Sequence, residues 1–197
     1  ETLRSFDALF FIHDPSAPPG ALAAIEQFAE AGGTAIVFPS AVMAGDPLAE
    51  TRYRESGLGG FAVAGLREAA PGEAPLGFGE IEEGHPIFSL LVRSAPQLFG
   101  AVALARCLIL DENRFDGAAR VLARTTLGEP LLVERRTGGG AVLAFAAGCH
   151  PAWGDLPLRP LFLPLLYETL KHALGAAPMA EQGGTVDEGF AIDLPPG

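Results

Sequence analysis

Few residues in this 197-residue chain have the types and spacing for chemistry. Cys149 and His150 are adjacent, with Asp155 close behind, a set that could supply nucleophile, base and orienting carboxylate. Backbone geometry opposes that use. Neighbouring side chains in an extended segment point to opposite faces, so a hydrogen bond between them needs an unusual turn. Cys149 therefore reads as a small buried hydrophobe beside a loop histidine. Ser40 follows an apolar run, as a nucleophilic serine on an elbow does, but Phe38-Pro39-Ser40-Ala41-Val42 lacks the flanking glycines of such a turn. His13-Asp14 ends another apolar run, where open α/β sheets place ligands, although Asp14-Pro15 also suits a plain turn. His13, Asp14, Ser40, Cys149, His150 and Asp155 together define a candidate binding crevice, with no residue assigned a catalytic role.

The remaining chemical residues read structurally. His85, before Pro86, suits a helix cap better than a ligand. Glu80, Glu82 and Glu83 lack calcium-loop spacing and read as a solvated acidic edge. Trp153, the only tryptophan, reads as a staple between its loop and the core. Two cysteines, Cys107 and Cys149, are too few for a disulfide scaffold and do not stand at zinc spacing. No glycine-rich turn lies between a strand and a helix. Neither a metal nor a cofactor is expected.

Positioning these residues falls to a βαβ unit. Ala8–Ile12 suits a parallel strand buried on both faces, Gly20–Glu30 carries apolar residues at helical spacing before Gly32-Gly33, and Thr34–Pro39 suits a second buried strand. Residues 40–84 read as long loops with a short helix near Leu48–Arg54. Beyond them, a short helical segment begins at His85-Pro86-Ile87-Phe88, and Ala101–Leu110 and Ala119–Arg124 read as strands. Leu131–Arg136 and Ala141–Ala147 flank Thr137-Gly138-Gly139-Gly140 as a hairpin. A final helix follows, with Leu158, Leu161, Phe162, Leu165, Leu166, Thr169, Leu170, Ala173 and Leu174 on one face and Gly175 as its stop. Residues 176–197 read as a linker and the start of a following segment.

Composition narrows the partners. The chain carries 24 acidic and 13 basic residues, a net charge of -11 that repels a nucleic-acid backbone and anionic lipid alike. No apolar run approaches the roughly 20 residues of a membrane-spanning helix, so this segment does not itself span a bilayer. Glu1 opens the sequence and a strand-like run follows at Ala8, which suggests a segment of a longer protein.

The ordered blocks "FDALFFIHDP", "AGGTAIVFPS", "GHPIF" and "GEPLLVERRTGGGAVLAFAAGCHPAWGDLPLRPLFLPLLYETLKHAL" resemble the amidotransferase-like domain of bacterial membrane proteins. Those proteins carry an N-terminal double-transmembrane segment of the aerotolerance-regulator type. The resemblance runs from about Phe6 to Leu174, and its most specific part is the C-terminal block. It implies a flavodoxin-like, class I glutamine amidotransferase-like three-layer α/β sandwich over residues 1–175, with a mainly parallel sheet and a C-terminal β-hairpin. It also implies an extracytoplasmic, periplasmic-side domain of a membrane-anchored parent, partnered by other envelope proteins or by domains of the same chain. The family's chemistry is not carried over: residues 39–84 contain no Cys for an elbow nucleophile, and no His-x-Glu follows. The expectation is a non-catalytic structural or interaction domain, with a small-ligand binding domain as the alternative and a divergent hydrolase using Ser40 or Cys149 as a third reading.

Overall fold

The computed structural model describes residues 3–41, 46, 48–70, 72 and 74–175, so the expectation for residues 176–197 lies outside the described part. Strands β1 (Ala8–His13) and β2 (Thr34–Pro39) are joined by helix α1 (Pro19–Glu30). Then come α2 (Ala49–Ser56), β3 (Val63–Glu68), β4 (Phe78–Ile81), α3 (Pro86–Ser94), α4 (Gln97–Gly100) and β5 (Arg106–Leu110). Strands β6 (Ala119–Thr125), β7 (Pro130–Thr137) and β8 (Gly140–Phe145) lead to α5 (Phe162–Ala173).

The central sheet runs β1-β2-β8-β7-β6-β4. β1, β2 and β8 are parallel neighbours, while β7 is antiparallel to β8, β6 to β7, and β4 to β6. Four strands therefore share one direction, β1, β2, β8 and β6, and the sheet is mainly parallel with an antiparallel flank. Strand alternation assigns the layers. Arg135 of β7 reaches Glu26 of α1, whereas its neighbour Glu134 meets His172 of α5 and faces His85, the residue capping α3. Helix α1 thus covers one face, and α3 with α5 covers the other. On the α5 face Phe38 and Phe145 stack with centroids 4.5 Å apart, and on the α1 face Val37 and Val142 approach Gly59.

The turn of the β7–β8 pair presses on the end of α1. Gly138 has a φ of +54°, and a side chain there would strike the Glu30 carbonyl; at Gly140 it would strike the Gly33 carbonyl. Glycine is needed here for lack of bulk as much as for positive φ. β3 and β5 form a separate antiparallel ribbon, tied to the main sheet where the Leu108 N–H donates to the Ala146 carbonyl at 2.8 Å.

Several expectations are corrected. β1 lies at the sheet edge, and Phe10 and Ile12 are 44% and 49% exposed, so the strand is not buried on both faces. The stretch assigned to loops contains β3 and β4, both short and glycine-containing, which hides their period. The strand expected over Ala101–Leu110 begins only at Arg106: Ala101 ends the turn that closes α4, and Leu104 makes only isolated bridges to Leu76 and Gly154. Leu158 and Leu174, expected on the buried face of the last helix, are exposed.

Candidate functional site

The carboxyl ends of β1, β2 and β8 lie side by side, so the loops carrying most of the crevice residues come together. At their centre the Ser40 N–H points to the His13 carbonyl and to the Tyr53 hydroxyl, each at 2.9 Å, and that hydroxyl donates to the His13 carbonyl at 2.6 Å. Trp153 Nε1 donates to the Ser40 carbonyl at 2.9 Å. Tyr53 and Trp153 are fully buried. Two aromatic rings therefore fill the middle of the crevice and bind its backbone polar groups. Burial pushes the Tyr53 hydroxyl up to about 12, against the hydrogen bond it accepts from Ser40, which keeps it a donor.

The C-terminal crevice residues take structural roles. His150 Nδ1 accepts from the Ala152 N–H at 3.1 Å, capping a short 3-10 turn over Pro151–Trp153. Cys149 is half-buried, and burial raises its thiol above the ordinary range, so the nucleophilic thiolate is disfavoured. Asp155 accepts from the Ala103 N–H at 2.7 Å and pairs with Arg159. Asp14 closes its own turn, taking both the N–H and the hydroxyl of Ser16, and those bonds hold its carboxyl below the usual range.

Open space lies beside this filled centre, on the α1 face. A cleft of about 390 Å³ is lined by His13, Pro15, Ala17, Pro18, Leu22, Arg52, Glu55 and Ser56. It sits beyond the carboxyl end of β1, between the start of α1 and helix α2. His13 is 2% exposed, stacks on Phe11 and meets Tyr53 edge-on. Its Nδ1 is buried without a hydrogen-bond partner among the described residues. Burial lowers its pKa, partly opposed by Asp14, so the ring is held neutral. Of the crevice residues, His13 alone lines this cleft. Arg52, Glu55 and Ser56 were not foreseen as site residues: a short helix was expected near Leu48–Arg54, but nothing in its spacing marks that it faces the carboxyl end of β1. Arg52 also pairs with Asp46 at 2.6 Å.

A second polar group lies on the opposite face. His85, Glu134 and His172 present ligand-type atoms all within 4.8 Å of one another. Glu134 and His85 are 4% exposed. Burial pushes the Glu134 carboxyl upward, but the hydrogen bond from His172, the neighbouring His85 ring and the charges of His172 and Arg136 outweigh it and leave the carboxyl far below the usual range. Sequence spacing carries no signal for this group: its members come from the start of α3, the middle of β7 and the last turn of α5.

No protein-family model and no curated protein matches the chain. Solved structures do resemble it. A cytoplasmic protein from Salmonella typhimurium superposes with a TM-score of 0.61 at 17% identity, covering 86% of this chain and 72% of the other. A second, from Salmonella typhimurium LT2, gives 0.52 at 20% identity over 87% and 73%. A β-galactosidase from Bacillus circulans sp. alkalophilus gives 0.54 at 17% identity, and the match spans 89% of this chain but only 24% of the enzyme. At such identities the likeness concerns the α/β fold alone.

Proposed function

We propose that this chain is a non-catalytic small-ligand binding module, built on a flavodoxin-like, amidotransferase-like framework whose nucleophile positions serve packing. The observation that carries the reading is His13: a neutral, buried ring with an unpartnered Nδ1, in the wall of a cleft at the carboxyl end of a parallel strand. Buried polar atoms in folded proteins nearly always find partners, and an orphan on a residue that lines a ligand-sized cleft supports a site that a guest completes. The cleft mixes a guanidinium, a carboxylate and a hydroxyl with proline, alanine and leucine, which suits a compact polar molecule with an apolar side.

The test is thermal unfolding against sugars, nucleotides and small carboxylic acids, with wild type and Ala17→Phe in parallel. Ala17 is partly exposed on the cleft wall, so the larger ring fills the space without entering the core. A ligand of this cleft stabilises the wild type by several degrees at 100 times its Kd and leaves the variant unmoved. Silence across the whole panel, or equal shifts in both proteins, would count decisively against the reading.

The wider setting of a membrane-anchored bacterial protein, with this domain on the periplasmic side, is supported by the sequence resemblance of residues 6–174. A role in assembly within that parent draws on β1. Among the described residues no strand pairs with its outer edge, and Phe10 and Ile12 stand exposed on one side of it. The occupant this edge suits is an extended apolar segment added as a further strand, from an envelope partner or another domain of the parent.

A further inference from the structure

We infer that His85, Glu134 and His172 form a binding site for one borderline divalent cation of the zinc type, which clamps α3 and α5 to β7. Two imidazoles and a carboxylate suit Zn²⁺ and its first-row neighbours better than the all-oxygen preferences of Ca²⁺ or Mg²⁺. The spacing fits one ion. His172 Nε2 lies 2.8 Å from Glu134 Oε1, a hydrogen bond whose proton a cation displaces. His85 Nε2 lies 3.8 Å from Glu134 Oε2, longer than a hydrogen bond and near the ~3.4 Å expected between two ligands of a tetrahedral ion at about 2.1 Å each. The two rings meet edge to face with centroids 4.6 Å apart, so neither blocks the other.

Two neighbours must yield. Arg136 Nη2 is 3.3 Å from Glu134 Oε1, but its side chain is 68% exposed and free to swing into water when a cation takes its place. His85 Nδ1 accepts the Ile87 N–H; coordination through Nε2 moves the ring proton to Nδ1 and releases that cap, which at 3.4 Å is already weak. Three protein ligands leave the fourth position to water. The site lies across the sheet from the His13 cleft, so each can fail while the other stands.

The experiment is titration of the metal-stripped chain with Zn²⁺ by calorimetry and with Co²⁺ by visible absorption, on wild type, Glu134→Gln and His172→Gln, with folding checked by circular dichroism. The expected result is one ion per chain, d–d bands of low-coordinate cobalt, and affinity weakened at least ~100-fold in each variant. Glu134→Gln keeps the shape but loses the charge; should it fail to fold, His172→Gln at the end of α5 carries the test. Absence of one-to-one binding overturns the proposal, as does binding unchanged by the substitutions, which would assign the ion to His13 or His150.

Discussion

Tyr53 shows how one side chain can decide what a crevice is for. In an active elbow enzyme the position after β2 would expose a nucleophile; here the Ser40 N–H and the His13 carbonyl both meet the Tyr53 hydroxyl. Tyr53→Phe keeps the ring and removes only those two bonds, so it should lower stability by about 1–2 kcal/mol, read as a lower urea midpoint with an unchanged slope. A change in slope would mean that the hydroxyl organises more than its own contacts. Tyr53 was invisible as a partner in the sequence, because nothing local marks which strand ends its hydroxyl will reach. His85 was legible as a cap because that contact spans two residues, and Trp153 as a staple because its neighbours already read as a loop returning to the core. His85 as a neighbour of Glu134 and His172 was not legible, since only the folded sheet brings the three together.

At the scale of elements, legibility follows period and length. β2 and β8, continuous apolar runs bounded by glycine or proline, were readable; β3 and β4 were not, because short edge-like strands with a central glycine show no alternation. The glycines between β7 and β8 were readable as a turn, but their second duty was hidden. The tip packs on α1, and a methyl group on Gly140 would meet the Gly33 carbonyl and come within 2.6 Å of the Ala29 carbonyl. Gly140→Ala should therefore cost about 1–3 kcal/mol, as overpacking does, whereas Gly128→Ala, with open space around it, should cost mainly the strain of its φ of +91°. Equal costs at both sites would show that the tip yields and that α1 is not fixed by it.

For the whole molecule, the exposed flank of β1 is the feature most open to challenge. A strand edge that no described residue pairs with, flanked by two half-exposed apolar side chains, invites pairing with another chain. Sedimentation of the isolated chain should show association that rises with concentration, and Ile12→Lys should suppress it by placing a charge on that flank. A wild type that stays monomeric at high concentration would mean that the edge is guarded and would remove the main support for an assembly role.

The sheet order also bears on how the chain finds its shape. β6, β7 and β8 follow one another closely and pair in turn, so they can form from local contacts. β2 must then wait for β8: Thr34 pairs with Ala141, a separation of 107 residues (141 minus 34). Closing so long a loop costs entropy before any contact repays it. The β1-α1-β2 unit should therefore join late, onto a meander already formed, and the glycine tip against α1 becomes the place where the two halves first have to agree.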